Sequence, residues 1–488
     1  MRLLALALLV AAPAALAQTP CAGGTVTDRG LEFACDGVDL LARLTAQDMG
    51  QWSSPDCGYC LMDLWGWTDP ETGREYALVG ARRLAFVDVT DPAAPCPLGA
   101  LRMTGGRDVK VFGHHAYAGD HGSDGVAVFD LHRLRGLSAN PARLFSPDAV
   151  TAPSDAHNVV VADGAPLLAT MGRCGSEGGY QFFDLSDPGQ PQAAGCYPER
   201  VHDAQCLLYD GPDPDHAGRT VCFGFNADRV GILDVTDPGA AVPIADAVYP
   251  EAGFTHQGWL TEDRRHLLVG DEFDEADGTA TRTIVFDVED LDAPEYVGTW
   301  LHPTVSAIDH NLYVRGEHVY QANYTAGLRV LSLAGVATAD LAEVAYFDTR
   351  PMPDAPENGF DGAWSVYPFF ESGTVIVSDQ SYGLFVLRVD PDRLAVASAA
   401  PPRAERLSLA AETPARGAAA VRLTAPAGTR VRLALYDLLG RELAVVFEGV
   451  ATGAEQAFAV GAGLPAGVVV VRAEAGGAVA TRRVTLVR

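Results

Sequence analysis

Short apolar runs alternate with Gly, Asp and Pro turns along most of the chain, and helical periodicity is nearly absent. Runs rich in β-branched and aromatic residues between such turns are typical of β-strands. The pattern therefore predicts an all-β protein, with one long region over residues 18–392 and a shorter one over residues 407–488.

One strand pattern recurs seven times in the long region. Its copies read FVDVTDP, VFDLHRL, FFDLSDP, ILDVTDP, VFDVEDL, VLSLAGV and VLRVDPD, and they begin 42 to 56 residues apart. A second β-rich run precedes each copy, and another follows most of them. Four antiparallel strands in each of seven repeats predict a seven-bladed β-propeller.

The last repeat lacks a fourth strand, because residues 393–406 have the composition of a linker. The segment VDLLARLT, residues 38–45, resembles the fourth strands of the other repeats. We expect it to pair into the last blade and to close the ring, since closure removes exposed sheet edges.

The first strand of each repeat opens on two aligned positions. Four of the seven residues at the first position are histidines, His157, His202, His256 and His310, and the others are Met62, Arg107 and Trp364. The second position is polar throughout: Asp63, Asp108, Asn158, Asp203, Gln257, Asn311 and Ser365. Innermost propeller strands line the central channel, so these side chains are predicted to meet at one mouth of it. The second strands end at the same mouth and bring Glu272.

Converging imidazoles suit a divalent transition metal, Cu, Fe or Zn. His157, His202, His256 and His310 are the candidate metal ligands. The candidate ligand-binding residues are Asp108, Asn158, Asp203, Gln257, Asn311 and Glu272. Each imidazole then needs a partner for its second nitrogen, for which the candidates are Asp155, Asp203, Asp309 and Glu272. The alternative is a polar girdle that forms hydrogen bonds between blades and to channel water.

The acidic run DEFDEAD, residues 271–277, offers carboxylates for calcium. Its spacing is not that of an EF-hand loop, so we interpret it as a solvated acidic turn. Calcium is therefore the less favoured cofactor.

The net charge is −28, and an acidic surface repels phosphate backbones, which excludes nucleic acid as a partner. Residues 1–17 have the features of a secretory signal peptide, and no other segment reaches membrane length. Nine cysteines in an exported chain indicate disulfides. The expected pairs are Cys21 with Cys35, Cys174 with Cys196, and Cys206 with Cys222. For Cys57 and Cys60 we favour structural pairing over a redox or zinc role, which leaves Cys96 as the odd cysteine.

Several segments together resemble the choice-of-anchor B family of exported bacterial proteins, which carry LVIVD-like repeats. The resemblance runs from about Cys21 to Asp390 and rests on RDVKVF, AHNVVV, HDAQCLLYDGPD, THQGWLTED, IDHNLYV, YQANYTAGLRVL and AWSVYPFF. It implies an exported propeller body that is shared among proteins with different C-terminal sorting segments. It implies no particular activity.

Residues 407–488 predict a small Ig-like β-sandwich, from short alternating strands and a basic end. This tail resembles the C-terminal sorting domain of type IX secretion cargo, which implies secretion or display at the outer cell surface by type IX-like machinery. An ordinary Ig-like accessory domain is the alternative.

Signatures of nucleophile elbows, phosphate loops, zinc proteases and dinucleotide sites are missing from the sequence. The leading function is an exported or cell-surface binding protein with a metal or small ligand at the channel mouth. The alternatives are a Cu- or Fe-dependent oxidoreductase and a protein-interaction scaffold.

Overall fold

Strands make up almost all the regular structure, so the chain is all-β as the sequence pattern predicts. The computed structural model describes residues 19–52, 60–103, 105–120, 125–151, 156–174, 178–275, 279–353, 357–398, 408–411, 415–416, 418–425, 429–436, 441–450, 456–465, 467–475 and 478–487. The predicted signal peptide, residues 1–17, lies outside them. The chain divides into two compact units, with the boundary after Ser398.

The first unit begins with three strands, which are β1 (Thr25–Asp28), β2 (Leu31–Asp36) and β3 (Val38–Leu44). The first sheet then contains β4 (Leu64–Thr68), β5 (Glu75–Gly80), β6 (Leu84–Asp88) and β7 (Cys96–Leu101). The second contains β8 (Gly106–Phe112), β9 (His115–Asp120) and β10 (Ala127–Asp130). Two short strands follow: β11 (Leu144–Phe145), which extends the first sheet, and β12 (Ala149–Val150), which completes the second.

The next sheets repeat the same up-and-down order of four strands. The third contains β13 (Asn158–Val161), β14 (Leu167–Cys174), β15 (Gly179–Asp184) and β16 (Gln192–Tyr197). The fourth contains β17 (Asp203–Leu208), β18 (Thr220–Phe225), β19 (Val230–Asp234) and β20 (Val242–Ala247). The fifth contains β21 (Thr255–Leu260), β22 (His266–Asp271), β23 (Arg282–Asp287) and β24 (Glu295–Leu301).

The last two sheets of this unit recruit the N-terminal strands. The sixth contains β25 (Asn311–Arg315), β26 (His318–Ala322), β27 (Leu328–Ser332) and β28 (Ala342–Pro351), and β2 and β1 extend it beyond β28. The seventh contains β29 (Ala363–Tyr367), β30 (Thr374–Asp379) and β31 (Gly383–Val389), and β3 is its fourth strand. The two ends of the unit are therefore joined within one sheet.

The first strands of successive sheets contact one another from β4 to β29, and β29 in turn contacts β4. This cyclic arrangement of four-stranded antiparallel sheets makes the first unit propeller-like. Apolar side chains fill the spaces between sheets; for example, Phe86 of the first sheet stacks on Phe129 of the second with ring centroids 4.6 Å apart. Such burial is the main stabilising contribution to the fold.

Three disulfides confirm the expected pairs Cys21 with Cys35, Cys174 with Cys196, and Cys206 with Cys222. Such bonds are typical of proteins that fold in an oxidising compartment. Cys96 is free, as expected. Cys60 is disulfide-bonded, and Cys57 lies outside the described residues.

Helices are few and short within the described part of the chain. The 3-10 helices span Leu131–Leu134, Pro238–Ala240 and Val336–Thr338. The helix α1 (Pro391–Ser398) occupies the start of the predicted linker, whose remainder lies outside the described residues. None of the described helices has the length and apolar character needed to cross a membrane.

The described residues of the second unit form eight strands in two sheets. The strands are β32 (Ser408–Ala411), β33 (Ala415–Arg416), β34 (Ala419–Thr424), β35 (Arg430–Tyr436), β36 (Glu442–Val450), β37 (Gln456–Val460), β38 (Gly467–Ala475) and β39 (Ala478–Val487). One sheet has the order β32-β34-β37 and the other β33-β39-β38-β35-β36. Val421 from the smaller sheet and Leu433 and Val471 from the larger one share a single apolar core.

Candidate functional site

The four histidines at the aligned strand openings lie together in the structure. They line one small cavity whose full lining is Asp63, His157, Asn158, His202, His256, His310, Asn311 and Trp364. Ring centroids are 5.0 Å apart from His157 to His202, 4.4 Å from His202 to His256, and 4.2 Å from His256 to His310. We call these four residues the histidine cluster.

Main-chain carbonyl groups orient three of the imidazoles. Nδ1 of His202 donates to the carbonyl oxygen of His256 at 3.2 Å, and Nδ1 of His256 donates to that of His310 at 3.2 Å. Nδ1 of His310 donates to the carbonyl oxygen of Trp364 at 2.6 Å. A carbonyl oxygen only accepts, so each of these Nδ1 atoms carries the proton. Each neutral ring therefore keeps a lone pair on Nε2.

Burial keeps these rings neutral at physiological pH. It lowers the pKa of His202 to about 3 and that of His256 to about 4. It also holds the pKa of His310 well below its usual value, with the neighbouring His256 acting in the same direction. Neutral imidazole is the form that binds metals.

Glu272 lies on the Nε2 side of two of these rings, just after β22. Its Oε2 is 3.7 Å from Nε2 of His256, and its Oε1 is 4.0 Å from Nε2 of His310. The hydroxyl of Tyr324 donates to Oε1 of Glu272 at 2.7 Å. Burial raises the pKa of Glu272 to about 7. One ligand atom from each of His256, His310 and Glu272 lies within 4.8 Å of the others, which is a spacing that one metal ion can bridge.

The other two histidines contact each other. Nε2 of His202 lies 3.2 Å from Nε2 of His157. Since His202 carries its proton on Nδ1, His157 must donate in this pair. His157 thereby holds His202 beside the group formed by His256, His310 and Glu272.

Carbonyl oxygens replace the carboxylates that we expected as partners of the second imidazole nitrogens. That expectation is wrong for His202, His256 and His310, because Nδ1 of each donates to a main-chain carbonyl oxygen of the next sheet around the ring. Glu272 instead faces Nε2, and Asp155 lies outside the described residues.

Most of the remaining predicted ligand-binding residues contact neighbouring strands. Oδ2 of Asp108 accepts from the amide of Val159 at 2.7 Å, and Oε1 of Gln257 accepts from the amide of Leu312 at 2.9 Å. The side-chain Nδ2 of Asn158 donates to the main-chain carbonyl oxygen of His202 at 2.7 Å. These bonds connect adjacent sheets around the ring.

Asn311 contacts the next sheet, whereas Asp203 bonds to the residue that follows it in its own strand. The side-chain nitrogen of Asn311 lies 3.4 Å from the hydroxyl of Ser365, also in the next sheet. Asp203 accepts from the amide of Ala204 at 2.7 Å. Asn158 and Asn311 also line the cavity of the histidine cluster.

The sequence pattern did not identify Lys110, the only lysine of the chain, as a site residue. Its Nζ lies 2.5 Å from Oδ1 of Asp108 and 3.5 Å from Oδ2 of Asp63, and it stands 4.9 Å from the ring centroid of Trp65. The alignment carried a signal for it, because Lys110 lies three residues after the histidine register. Trp65, Trp259, Tyr313 and Tyr367 occupy the same aligned position in other first strands.

A larger cavity lies against this layer, with a volume of about 400 Å³. Trp65, Lys110, Trp259, Tyr367 and Phe369 contribute to its lining. Apolar cavities of this size with a few polar groups are common ligand sites. The cavity of the histidine cluster, at about 10 Å³, has room for an ion or one water molecule only.

The carboxylates of the acidic run are buried over its described residues 271–275, although Phe273 is exposed. Asp271 and Glu275 are fully buried, and the Asp274 side chain is 2% exposed. The interpretation as a solvated turn is therefore wrong, because Tyr249, Arg282 and the segment before β25 cover these carboxylates. Burial, and then the charge of Asp309, raises the pKa of Glu275 to about 12.

Comparison with models of known protein families finds no match, and comparison with curated protein sequences finds none either. Among solved structures, the chain is similar to PorZ, an essential surface component of the type IX secretion system of Porphyromonas gingivalis. The identity is 12% and the TM-score 0.43, over 88% of this chain and 60% of PorZ, which is less than two thirds of that protein.

Two further structures are similar to a comparable degree. A chain of the mitotic checkpoint complex is 13% identical over 80% of this chain and 99% of its own length, with a TM-score of 0.47. A protein from Lactobacillus plantarum is 13% identical over 83% of this chain and all of its own length, with a TM-score of 0.44. Identity at this level assigns the chain to none of these proteins.

Proposed function

We propose that the protein is an exported or cell-surface seven-bladed β-propeller that binds one divalent transition-metal ion through His256, His310 and Glu272. The observation that carries the proposal is the orientation of the imidazoles. Main-chain carbonyls hold Nδ1 of His256 and His310, so both Nε2 lone pairs point toward the carboxylate of Glu272.

Two imidazoles and one carboxylate are an established type of metal site. Zinc hydrolases and iron(II) oxygenases both use this ligand set and leave a position open for water or substrate. Glu272 is buried among neutral rings, and none of its described contacts is a cation. A bound metal ion would supply the positive charge that this buried carboxylate lacks.

The size of the two cavities separates two modes of binding. An organic ligand does not fit the cavity of about 10 Å³ at the histidine cluster. The aromatic cavity of about 400 Å³ is large enough for a small molecule. We therefore assign the metal to the histidine cluster and any organic ligand to the aromatic cavity.

Metal analysis of tag-free protein, after exposure to Zn, Cu and Fe(II) and removal of excess ion, tests the proposal. We expect about one ion per chain. The variants His256→Ala, His310→Ala and Glu272→Gln should each lower the affinity by at least tenfold. His318→Ala is the matched control, since His318 is 5% exposed and lies outside the cluster. Metal-free wild-type protein, or equal loss in the control, would overturn the assignment and favour a protein-interaction scaffold.

A metal-dependent oxidoreductase is the second candidate, because the same ligand set serves iron in oxygen-activating enzymes. It predicts that Fe(II)-loaded protein consumes oxygen and that Glu272→Gln abolishes this consumption. A protein that retains only Zn, with no oxygen consumption after iron loading, is a binding protein instead.

We further propose that residues 1–17 direct export and that residues 407–488 act as a sorting domain for type IX-like secretion machinery. The disulfides and the separate compact unit formed by residues 399–488 support this assignment. Deleting residues 407–488 should then leave the propeller in the periplasm of a host that has this machinery. Unchanged surface display of the truncated protein would refute it and favour an accessory Ig-like domain.

A further inference from the structure

A second group of buried carboxylates lies outside the histidine cluster. Asp274 and Glu275 come from the connection between β22 and β23, and Asp309 comes from the segment before β25. One ligand oxygen from each residue lies within 4.8 Å of the other two. Glu275 is 0% exposed and Asp309 is 1% exposed, so water does not solvate this group from outside.

Several oxygen atoms of the group have no hydrogen-bond partner among the described residues. They are Oδ1 of Asp274, Oε2 of Glu275 and both carboxylate oxygens of Asp309. An unpaired buried carboxylate is among the costliest arrangements in a protein interior. Asp309 reaches the group from a separate segment, the one before β25, and neither of its carboxylate oxygens has a hydrogen bond of ordinary geometry among the described residues.

Arg282 offsets only part of the negative charge. Its Nε contacts Oδ2 of Asp274, and its main-chain amide lies 3.3 Å from Oε1 of Glu275. Binding a cation requires the three carboxyl groups to be ionised, and in that state they and the Arg282 guanidinium together carry −2, which one divalent cation neutralises.

We propose that Asp274, Glu275 and Asp309 form a calcium site. All candidate ligand atoms are oxygens, which hard cations prefer over the nitrogen and sulfur donors that softer metals favour. Calcium accepts bidentate carboxylates and irregular geometry, whereas magnesium retains several water molecules. A site that is closed to solvent and rich in carboxylate oxygens suits calcium.

The site connects the fifth and sixth sheets next to the histidine cluster. Asp274 follows Glu272 by two residues, and Asp309 immediately precedes His310. A cation held between them therefore fixes the chain segments that carry one carboxylate and one imidazole of the proposed transition-metal site. Its role there is positioning, and its own existence does not depend on metal at the histidine cluster.

Thermal unfolding of the full chain after treatment with EGTA, with and without added CaCl₂ at pH 7.5, tests the site. Calcium well above its dissociation constant should raise the Tm of the wild-type protein by about 3 °C or more. Magnesium at the same concentration should have a smaller effect. Glu295→Gln, at an exposed position of β24, is the control and should keep the full calcium response.

Asp309→Asn and Glu275→Gln should abolish the calcium response. The direction of the Tm change in EGTA, relative to the wild type, distinguishes a cation-binding site from a structural network of hydrogen bonds. Without calcium, each variant should unfold at a higher temperature than the wild type, because the cost of burying a carboxyl group that lacks hydrogen-bond partners has been removed. Two variants are used so that the test can still be read if one of them does not fold.

Two results would overturn the calcium site. One is a wild-type Tm that does not respond to 5 mM CaCl₂, as expected if the carboxyl groups are simply protonated. The other is a full response in Asp309→Asn. The transition-metal proposal fails separately, since His256→Ala should lose transition metal and still show the calcium response.

Discussion

Replacing Lys110 with methionine removes the cation that contacts Asp63 and Asp108 in a buried acidic group. Nζ of Lys110 lies 2.5 Å from Asp108 and 3.5 Å from Asp63, and all three side chains are at most 10% exposed. Methionine has a similar volume and retains contact with Trp65, so the change removes charge with little loss of packing.

The expected loss in the free energy of unfolding is about 3–5 kcal/mol at pH 8, the range for breaking a buried ion pair from one side. The loss is large because two carboxylates then lack a partner in a region closed to water. An exposed pair gives the matched control. Arg219→Met removes the partner of Asp234, but Arg219 is 51% exposed, so a loss below about 1 kcal/mol is expected.

The loss in Lys110→Met should depend on pH. Burial already raises the pKa of Asp108 to about 7, against the opposing effect of Lys110, and it raises that of Asp203 well above its usual value. Without the lysine these pKa values rise further. A carboxyl group whose pKa is higher in the folded state costs no stability at a pH below its unfolded-state pKa. Above that pH the cost grows by up to about 1.4 kcal/mol per pH unit, until the pH reaches the folded-state pKa. The variant should therefore lose more stability at pH 8 than at pH 5.

Urea unfolding monitored by tryptophan fluorescence at pH 5 and pH 8 measures both effects. A loss below about 1 kcal/mol at pH 8 would contradict the buried ion pair. An equal loss at both pH values would show that packing, and not charge, accounts for the effect of Lys110.

Two further predictions concern the ring closure and the histidine cluster. Gly383 has φ +108°, and a Cβ there would lie 2.1 Å from the carbonyl oxygen of Leu44 in β3, so Gly383→Ala should cost at least about 2 kcal/mol in urea unfolding. Gly373→Ala, with φ +79° and open space, is the control, and an equal cost would mean that backbone strain alone acts. Burial lowers the pKa of His256 to about 4, so the metal-free protein should lose up to about 3 kcal/mol of stability from this group as pH falls from 6.5 to 4. In EDTA, His256→Phe should reduce the loss of stability between pH 6.5 and pH 4 by that amount. An unchanged loss would contradict the burial of the ring.

Local sequence patterns were sufficient for several features of the fold. Alternating apolar residues between Gly, Asp and Pro turns predicted an all-β chain, which the structure confirms. The recurrence of one strand placed His157, His202, His256 and His310 at a common register, and they line one cavity. Repetition is informative because each repeat places equivalent residues at equivalent positions around the ring.

Other features depend on segments that are distant in sequence. The attachment of β2 to β28 joins residues some three hundred positions apart, and nothing in either strand specifies the other. The acidic run at residues 271–275 has the local composition of a solvated turn, yet Asp309 and Arg282 enclose it. Charged runs are usually exposed, so composition alone predicts the wrong environment.

The strand pattern, the repeat and the residues of the histidine cluster can be read from the chain alone, because they follow from local periodicity. The chemistry of those residues depends on the folded arrangement. Main-chain carbonyls of adjacent sheets set the tautomers of His202, His256 and His310. Glu272 faces the free Nε2 atoms of His256 and His310, because β22 ends beside β21 and β25. Hydrogen-bond partners and burial are properties of neighbours in space, and the folded ring supplies those neighbours from separate repeats.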